Sequence, residues 1–432
     1  MNIEENKHLS ETKAHICIIG LGYVGLPLAI EFANEYDVIG FDINSSRIDE
    51  LNDFIDNSGE VSEDALINAK RLTLVDDIAK TTQANTYIVT VPTPVDQDNS
   101  PDFRLLISAS ELVGSVLEKN NVVIYESTVY PGATEEICVP ILEKESRLKF
   151  NEEFFVGYSP ERINPGDNSK NLKDIVKITS GSNPEISKLI DELYQSIISA
   201  GTHSVSSIRV AEAAKVIENI QRDVNIAFFN ELAMLFDTID LDSKEVFDAA
   251  SSKWNFIRFE PGLVGGHCIG VDPYYLMHKA KSVEFNPEMI LAGRNTNNYL
   301  PRFVADKVFK KLEEKQNVNQ PYKVLIMGAT FKEDCKDIRN SKSFDLREHL
   351  IKLGIEVDIS DDIADSSEVE KFYGFKLKEP HVNEEYDAII LAIKHDYILQ
   401  MEIGDIRKYG TTECLIYDLK SIFPRDLVDI SL

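Results

Sequence analysis

Ten residues near the start of the chain, Ile16–Gly25 (ICIIGLGYVG), restrict its fold more than any other stretch. An apolar run passes straight into three glycines spaced G-x-G-x-x-G, namely Gly20, Gly22 and Gly25, with Tyr23 and Val24 in the same loop. The glycine spacing alone is weak evidence. Here it follows a strand pattern, opens a helical one, and is followed by a second apolar run ending in Gly40-Phe41-Asp42. Together these specify the first turn of a doubly wound dinucleotide-binding unit. Gly20 permits the tight turn, Gly22 lets backbone approach a pyrophosphate, and Gly25 lets the helix pack on the sheet. Amides at the helix start face the phosphates. Asp42 sits where a carboxylate accepts hydrogen bonds from the adenosine ribose and repels a 2′-phosphate, so NAD is expected rather than NADP. Arg47 could stack on adenine or reach a phosphate. Val91-Pro92-Thr93 and Ser127-Thr128 follow strand patterns, where such a sheet places its ligands; ordinary turn chemistry is the alternative.

A chain of 432 residues exceeds one ordinary core, so two or three domains are expected. Strand patterns at Ile16–Ile19, Val38–Phe41, Tyr87–Val91, Val122–Tyr125 and Phe154–Gly157 alternate with helical ones, and their continuous apolarity suits strands covered on both faces. From about Ile208 to Thr238 the pattern becomes one long helix without Gly or Pro, a natural spine and dimer surface. Shorter helical stretches run to about Phe303, and polar Glu313–Tyr322 resembles a linker. Lys323–Met327 then opens a second α/β unit, with strands expected at Glu356–Ile359, Ala388–Ala392 and Leu415–Tyr417. No G-x-G-x-x-G follows Gly328, so a second dinucleotide is not expected. The expected fold is α/β: two Rossmann-like doubly wound parallel-sheet domains, 1–205 for NAD and 313–432, joined by a central helical domain, 206–312.

The net charge of −28 disfavours nucleic acid and anionic membranes as partners. It also means that an anionic substrate must be held by local Lys and Arg. Five dispersed cysteines without a C-x-x-C pair suggest neither disulfides nor zinc and fit a reducing compartment. The first 14 residues carry no signal-peptide pattern, and the apolar run Ile16–Ile30 is broken by three glycines and Pro27. A cytoplasmic protein is expected.

Pro261–Leu276 (PGLVGGHCIGVDPYYL) carries the chemistry. Gly265-Gly266 precede His267-Cys268, and Asp272 follows Cys268 by four residues, on one side of a helical turn. A thiol beside an NAD site allows an alcohol to be carried past the aldehyde. The thiolate adds to give a thiohemiacetal, a second hydride loss gives a thioester, and water releases the acid. The competing reading of Cys268 is a small buried hydrophobe. His267 points away from its neighbour and is read as structural, and no metal is expected. Lys215 and Asn219, spaced i, i+4 on the long helix, could donate to a developing oxyanion, or else form a solvated helix face. Glu161 and Thr128 could orient water for thioester hydrolysis; a surface loop is the alternative.

These stretches jointly resemble the UDP-glucose/GDP-mannose dehydrogenase family, from Ile16 to about Leu419. Within it, GGHCIGVDPYYL (Gly265–Leu276), with Val271 where the UDP-glucose enzymes usually have Lys, resembles the branch oxidising UDP-N-acetylhexosamines, of the Vi-antigen type. YSPERINPGD (Tyr158–Asp167) and KVIENIQRDVNIAFFNE (Lys215–Glu231) point the same way. The resemblance implies Cys268 as nucleophile, Lys215 and Asn219 on the oxyanion, and Asp272, Thr128 and Glu161 around water and protons. It places NAD among Gly20, Gly22, Gly25, Asp42, Arg47, Thr93 and Thr128. It assigns UDP to the C-terminal unit, where Phe331, Lys332 and Arg339 would close over substrate and cofactor phosphates, with Glu161, Arg162 and Gly265 also near substrate. In many members an Arg crosses from the neighbouring subunit; Arg258 and Lys253 are the candidates. The implied reaction takes a UDP-N-acetylhexosamine, two NAD+ and water to the uronate and two NADH, for capsule or O-antigen synthesis in a homodimer or higher homo-oligomer. The rivals are a UDP-N-acetylmannosamine or UDP-glucose enzyme, a single-step β-hydroxyacid dehydrogenase, and a non-catalytic NAD-binding regulator.

Overall fold

Buried aliphatic strands alternating with helices build two separate sheets in the computed structural model, which describes residues 14–96, 98–160, 172–266, 268–315, 321–382 and 385–432. The first has eight strands: β1 (His15–Ile19), β2 (Asp37–Phe41), β3 (Leu72–Val75), β4 (Thr86–Val89), β5 (Val122–Tyr125), β6 (Phe155–Tyr158), β7 (Lys177–Gly181) and β8 (Thr202–Ser204). Their spatial order is β3-β2-β1-β4-β5-β6-β7-β8, which contains the 3-2-1-4-5-6 order of dinucleotide-binding sheets. Pairing is parallel except between β6 and β7, a departure from the expected all-parallel sheet. Ile16, Ile18, Ile88 and Ile124 pack with Leu26, Leu28 and Phe32 of the helix Gly25–Ala33. Each such aliphatic contributes roughly 1.5–3 kcal/mol on burial.

The second sheet contains β9 (Lys323–Met327), β10 (Glu356–Ser360), β11 (Tyr386–Leu391), β12 (Gly410–Asp418) and β13 (Ile430–Ser431), ordered β10-β9-β11-β12-β13. This is the 2-1-3-4-5 order, the other common doubly wound arrangement. Val324, Ile326, Ala388 and Ile390 enter one core, while Leu325, Met327, Ile389 and Leu391 enter another. Period-2 alternation thus buries both faces, which is why these strands read as unbroken apolar runs.

The long helix spans Ile208–Thr238, at the bounds read from the sequence. The later helical region differs. The helix Glu288–Glu313 runs through Pro301, ten residues past the expected end at Phe303. Leu300, Val304, Val308 and Leu312 bury on one stripe against the second sheet's core, and this packing outweighs the backbone bond that proline removes. Part of the expected linker, residues 316–320, lies outside the described residues. The chain divides into two compact units, one running to Glu218 plus Tyr274–Glu284, the other comprising Asn219–Pro273 and Phe285–Leu432.

Candidate active site

In the first unit the glycine-rich turn has the geometry its sequence requires. Gly20 adopts φ +95° and donates to Phe41 O at 2.8 Å. A Cβ on Gly25 would overlap Gly20 O and Thr90 Oγ1, while Thr90 Oγ1 itself donates to Gly20 O at 2.8 Å. Helix, turn and β4 are therefore locked together. Gly22 differs: a Cβ there would meet no protein atom within 4 Å. No protein contact demands glycine at 22, as expected where a ligand phosphate approaches the backbone. The helix has no side-chain N-cap and no acid in its first turn, leaving that end suited to an anion. Half-exposed Asp42 accepts Leu21 N–H and Asn44 N–H, both at 2.9 Å, on separate oxygens, and each oxygen keeps acceptor capacity for a ribose hydroxyl. These residues fit NAD.

Arg47 is held within the protein. Its guanidinium donates to Leu21 O at 3.1 Å and to Asp56 at 2.7 Å, and it also pairs with Glu50, so it braces the turn. Thr93 Oγ1 donates to Thr128 O at 2.7 Å, Ser127 Oγ to Val91 O at 2.6 Å, and Tyr275 O–H to Thr93 O at 2.9 Å. The two strand-end loops thereby hold each other. Pro92 is exposed, and Tyr23 and Val24 are partly exposed.

A residue that sequence reasoning missed anchors this edge. Glu212, fully buried on the long helix, accepts Thr134 N–H at 2.9 Å and Gly132 N–H, fixing the chain just after Thr128. Burial pushes its carboxyl up to about 7, against the lowering effect of those hydrogen bonds. Lys215 follows one turn later and is buried, which removes the solvated-face alternative for this position.

In the second unit, Cys268 opens a helical turn: Val271 N–H and Asp272 N–H donate to its carbonyl at 3.1 and 2.9 Å, and the helix Asp272–Ser282 follows. Among the five cysteines, Cys268 alone is partly exposed. Burial pushes the thiols of Cys138 and Cys414 up to about 12, and that of Cys17 higher, leaving those three unsuited to thiolate chemistry. Asp272 and Asn219 are both buried. Asn219 Nδ2 donates to Asp272 Oδ2 at 2.6 Å, and Arg222 donates to Asn219 Oδ1 at 3.3 Å. The amide of Asn219 thus orients the carboxylate that lies one helical turn from the thiol.

The Gly265-Gly266 pair has a packing cause. A Cβ on Gly265 would overlap Asn340 O, and one on Gly266 would sit 2.6 Å from Phe331 Cδ2. Gly266 N–H donates to Asn340 O at 3.2 Å, and Asn340 Nδ2 returns a bond to Gly266 O at 2.9 Å. The thiol loop is therefore stitched to Phe331–Asn340, the segment singled out for phosphate binding. Its other end is held by Asn230, which exchanges bonds with Gly262 and donates from Nδ2 to Oδ1 of buried Asn297, beside the Arg294–Asp223 pair. Sequence reading gave no signal for this polar network, because helical Asn and Asp ordinarily suggest solvent.

Two expected phosphate or substrate cations are engaged elsewhere. Arg339 forms a bidentate pair with Asp337, at 2.9 and 2.6 Å. Arg258 lies between Glu260, at 2.7 Å, and Asp248. Phe331 and Lys332 are partly exposed. Glu161, Arg162 and His267 lie outside the described residues. Among the described residues, no group of three or more His, Cys, Asp or Glu could hold a metal ion, and no helix is long and apolar enough to cross a membrane.

A glycine-rich turn at the start of a helix, with an acid at the end of the next strand, in a 3-2-1-4-5-6 sheet, defines the class as an NAD-dependent dehydrogenase. Residues 14–198, 209–299 and 325–425 match, in turn, the NAD binding, central and UDP binding domains of the UDP-glucose/GDP-mannose dehydrogenase family. The chain belongs to that family. It is 51% identical over 417 residues to a UDP-N-acetyl-D-glucosamine 6-dehydrogenase of Salmonella typhi, covering 96% of this chain and 98% of that protein. A protein of the same description from Pseudomonas aeruginosa is 50% identical, covering 96% and 99%. Among solved structures, a UDP-D-ManNAc dehydrogenase from Pyrococcus horikoshii superposes with a TM-score of 0.84 at 30% identity, covering 95% of this chain and 96% of that one.

Proposed function

We propose that the chain oxidises C6 of UDP-N-acetylglucosamine, or of the galacto epimer, to the uronate through a covalent adduct on Cys268. The observation that carries this is the thiol loop, which presents a half-exposed Cys268 and is hydrogen-bonded to the segment assigned to the UDP diphosphate. Relatives at 51% and 50% identity favour the N-acetylglucosamine substrate over UDP-N-acetylmannosamine, whose solved relative stands at 30%, and over UDP-glucose. NAD+, when bound, supplies the hydride acceptor for each of two oxidations.

The chain's residues do the rest. Lys215 stabilises the oxyanion at C6. Once the C6 hydroxyl has lost its proton and the first hydride, Cys268 Sγ adds to the resulting aldehyde carbon and the thiol proton passes to the carbonyl oxygen, giving a thiohemiacetal. Loss of the second hydride together with the hydroxyl proton gives a thioester, and water adds to its carbonyl and expels Sγ as the thiol, releasing the carboxylate and a proton. Asp272, held by Asn219, together with Thr128 and Glu161, positions that water and moves its proton. Phe331, Lys332 and Arg339 hold UDP, the last after exchanging Asp337 for phosphate. In domain terms, 1–205 holds NAD, 206–312 carries the thiol, and 313–432 holds UDP. Exposed Phe228, Leu235, Trp254 and Ile257 support a homodimer built on the central domain, with Arg258 beside Ile257 as the residue that crosses. The product would feed capsule or O-antigen synthesis in the cytoplasm.

Initial rates with UDP-N-acetylglucosamine, UDP-N-acetylgalactosamine, UDP-N-acetylmannosamine and UDP-glucose test the substrate. Preference for either of the first two is expected, and preference for either of the others would replace the assignment. Cys268→Ser should keep NAD and UDP-sugar binding yet lose uronate formation by about a thousandfold or more; uronate production at the wild-type rate would end the covalent route.

A further inference from the structure

Three hydrogen bonds at the strand ends of the first sheet recur at those of the second, and the acid they share meets a different partner. Gly20 N–H donates to Phe41 O and Gly328 N–H to Ser360 O, both at 2.8 Å, and the two glycines share positive φ, +95° and +108°. Leu21 N–H reaches Asp42 Oδ2 at 2.9 Å, and Ala329 N–H reaches Asp361 Oδ2 at 2.6 Å. Two residues beyond each Asp, Asn44 and Ile363 donate to its Oδ1 at 2.9 and 2.8 Å. Asp42 is half-exposed. The Asp361 side chain is wholly buried, and its Oδ2 lies 3.1 Å from Nε2 of His395, which is also wholly buried.

The partners fix the imidazole. Nδ1 accepts Asp334 N–H at 3.0 Å, so the ring proton sits on Nε2 and points to Asp361, with Thr330 Oγ1 at 3.2 Å. Thr330 Oγ1 spends its own proton on Lys332 O at 2.8 Å. Tyr397 stacks on the ring, with centroids 5.4 Å apart. Burial alone would raise the Asp361 carboxyl; His395 and the backbone donors instead hold it below the usual carboxylate range.

We propose that His395 takes, from within the chain, the acceptor that a ribose takes at the first strand end, and that through Nδ1 it is the positioning residue for Thr330–Asp334, the loop carrying Phe331 and Lys332. The pair closes this edge to a second dinucleotide and fixes the loop for a uridine diphosphate. The inference rests on the assignment of UDP to Phe331 and Lys332.

Two variants separate the ring nitrogens. His395→Asn puts an amide oxygen at the Nδ1 position, keeping an acceptor for Asp334 N–H and losing the bond to Asp361. His395→Gln puts an amide nitrogen near Nε2, keeping the bond to Asp361 and losing the loop anchor. Calorimetric titration of the full-length protein with UDP and with NAD+, melting temperature, and hydrogen exchange of the backbone amides of residues 329–336 without nucleotide read the outcome. His395→Gln should bind UDP about tenfold more weakly, as expected for one lost hydrogen bond, with faster loop exchange and unchanged NAD+ affinity. His395→Asn should keep UDP binding within about threefold while melting lower. Losses of UDP binding that follow melting temperature equally in both variants would overturn the proposal, as would wild-type UDP binding and exchange in His395→Gln. A wild-type protein that does not bind UDP would sink the substrate assignment, and the exchange measurement would still decide the loop anchor.

Discussion

The two sheets end in the same glycine–aspartate arrangement, yet one edge is open and the other closed. At the first, Asp42 keeps an exposed face and the turn after β1 is glycine-rich. At the second, Asp361 is covered by His395, and the chain after Gly328 continues as Ala329-Thr330 without further glycines. Topology brings an acid to the strand end in both cases. The side chain that reaches that acid then decides whether the edge takes a nucleotide or becomes a support for the next loop. Both edges are also clamped by buried ionisable groups: Glu212 holds the chain after Thr128, and His395 holds Asp334.

The largest expected effect comes from removing each acid in turn. Asp361→Ala removes the acceptor of the His395 Nε2–H and of the Ala329 and Ile363 amides and should cost about 3 kcal/mol of stability, read by denaturant unfolding, with NAD+ affinity unchanged. Asp42→Ala should invert that pattern, with stability within about 1 kcal/mol of wild type and a raised KM for NAD+. Parallel effects of the two substitutions would remove the distinction between open and closed edges.

The glycines give a somewhat smaller split. Gly22→Ala meets no protein atom, so its melting temperature should not change, while NAD+ binding weakens by roughly 30-fold, about 2 kcal/mol. Gly328→Ala would force a Cβ to within 2.6 Å of Ile393 Cβ at φ +108° and should lower stability without altering NAD+ affinity.

The gentlest effect is a slope. Because the folded-state carboxyl of Glu212 is raised to about 7, its contribution to stability is full below the unfolded-state value and is lost as pH rises through about 7. Wild-type stability should therefore fall relative to Glu212→Gln between about pH 5 and pH 7, by about 1 kcal/mol per pH unit at most. Identical pH profiles would mean that Glu212 does not titrate in that window.

The first edge was legible in the sequence because its parts are local: a strand, three glycines and an acid at fixed spacing. Strands β9, β11 and β12 were legible for a similar reason, since burial on both faces leaves continuous apolar runs. Strand β7 was missed because it is polar in sequence; its Lys177 is buried against Glu126 at 2.6 Å, 51 residues away. The His395–Asp361 pair was silent for the same reason, its partners being 34 residues apart. Arg339 was singled out as a phosphate cation because sequence displays its charge, whereas its bidentate pairing with Asp337 depends on loop conformation. Cys268 was identified from its glycines and Asp272, but the cause of those glycines, contact with Phe331 and Asn340, lies in a distant segment.

The central claim is a four-electron oxidation at a single thiol. The most direct measurement is the NADH formed per UDP-N-acetylglucosamine consumed, with limiting sugar and excess NAD+, and the product identified by mass. Two NADH per sugar and a uronate are expected, without free aldehyde. One NADH per sugar, or aldehyde as the end product, would contradict it.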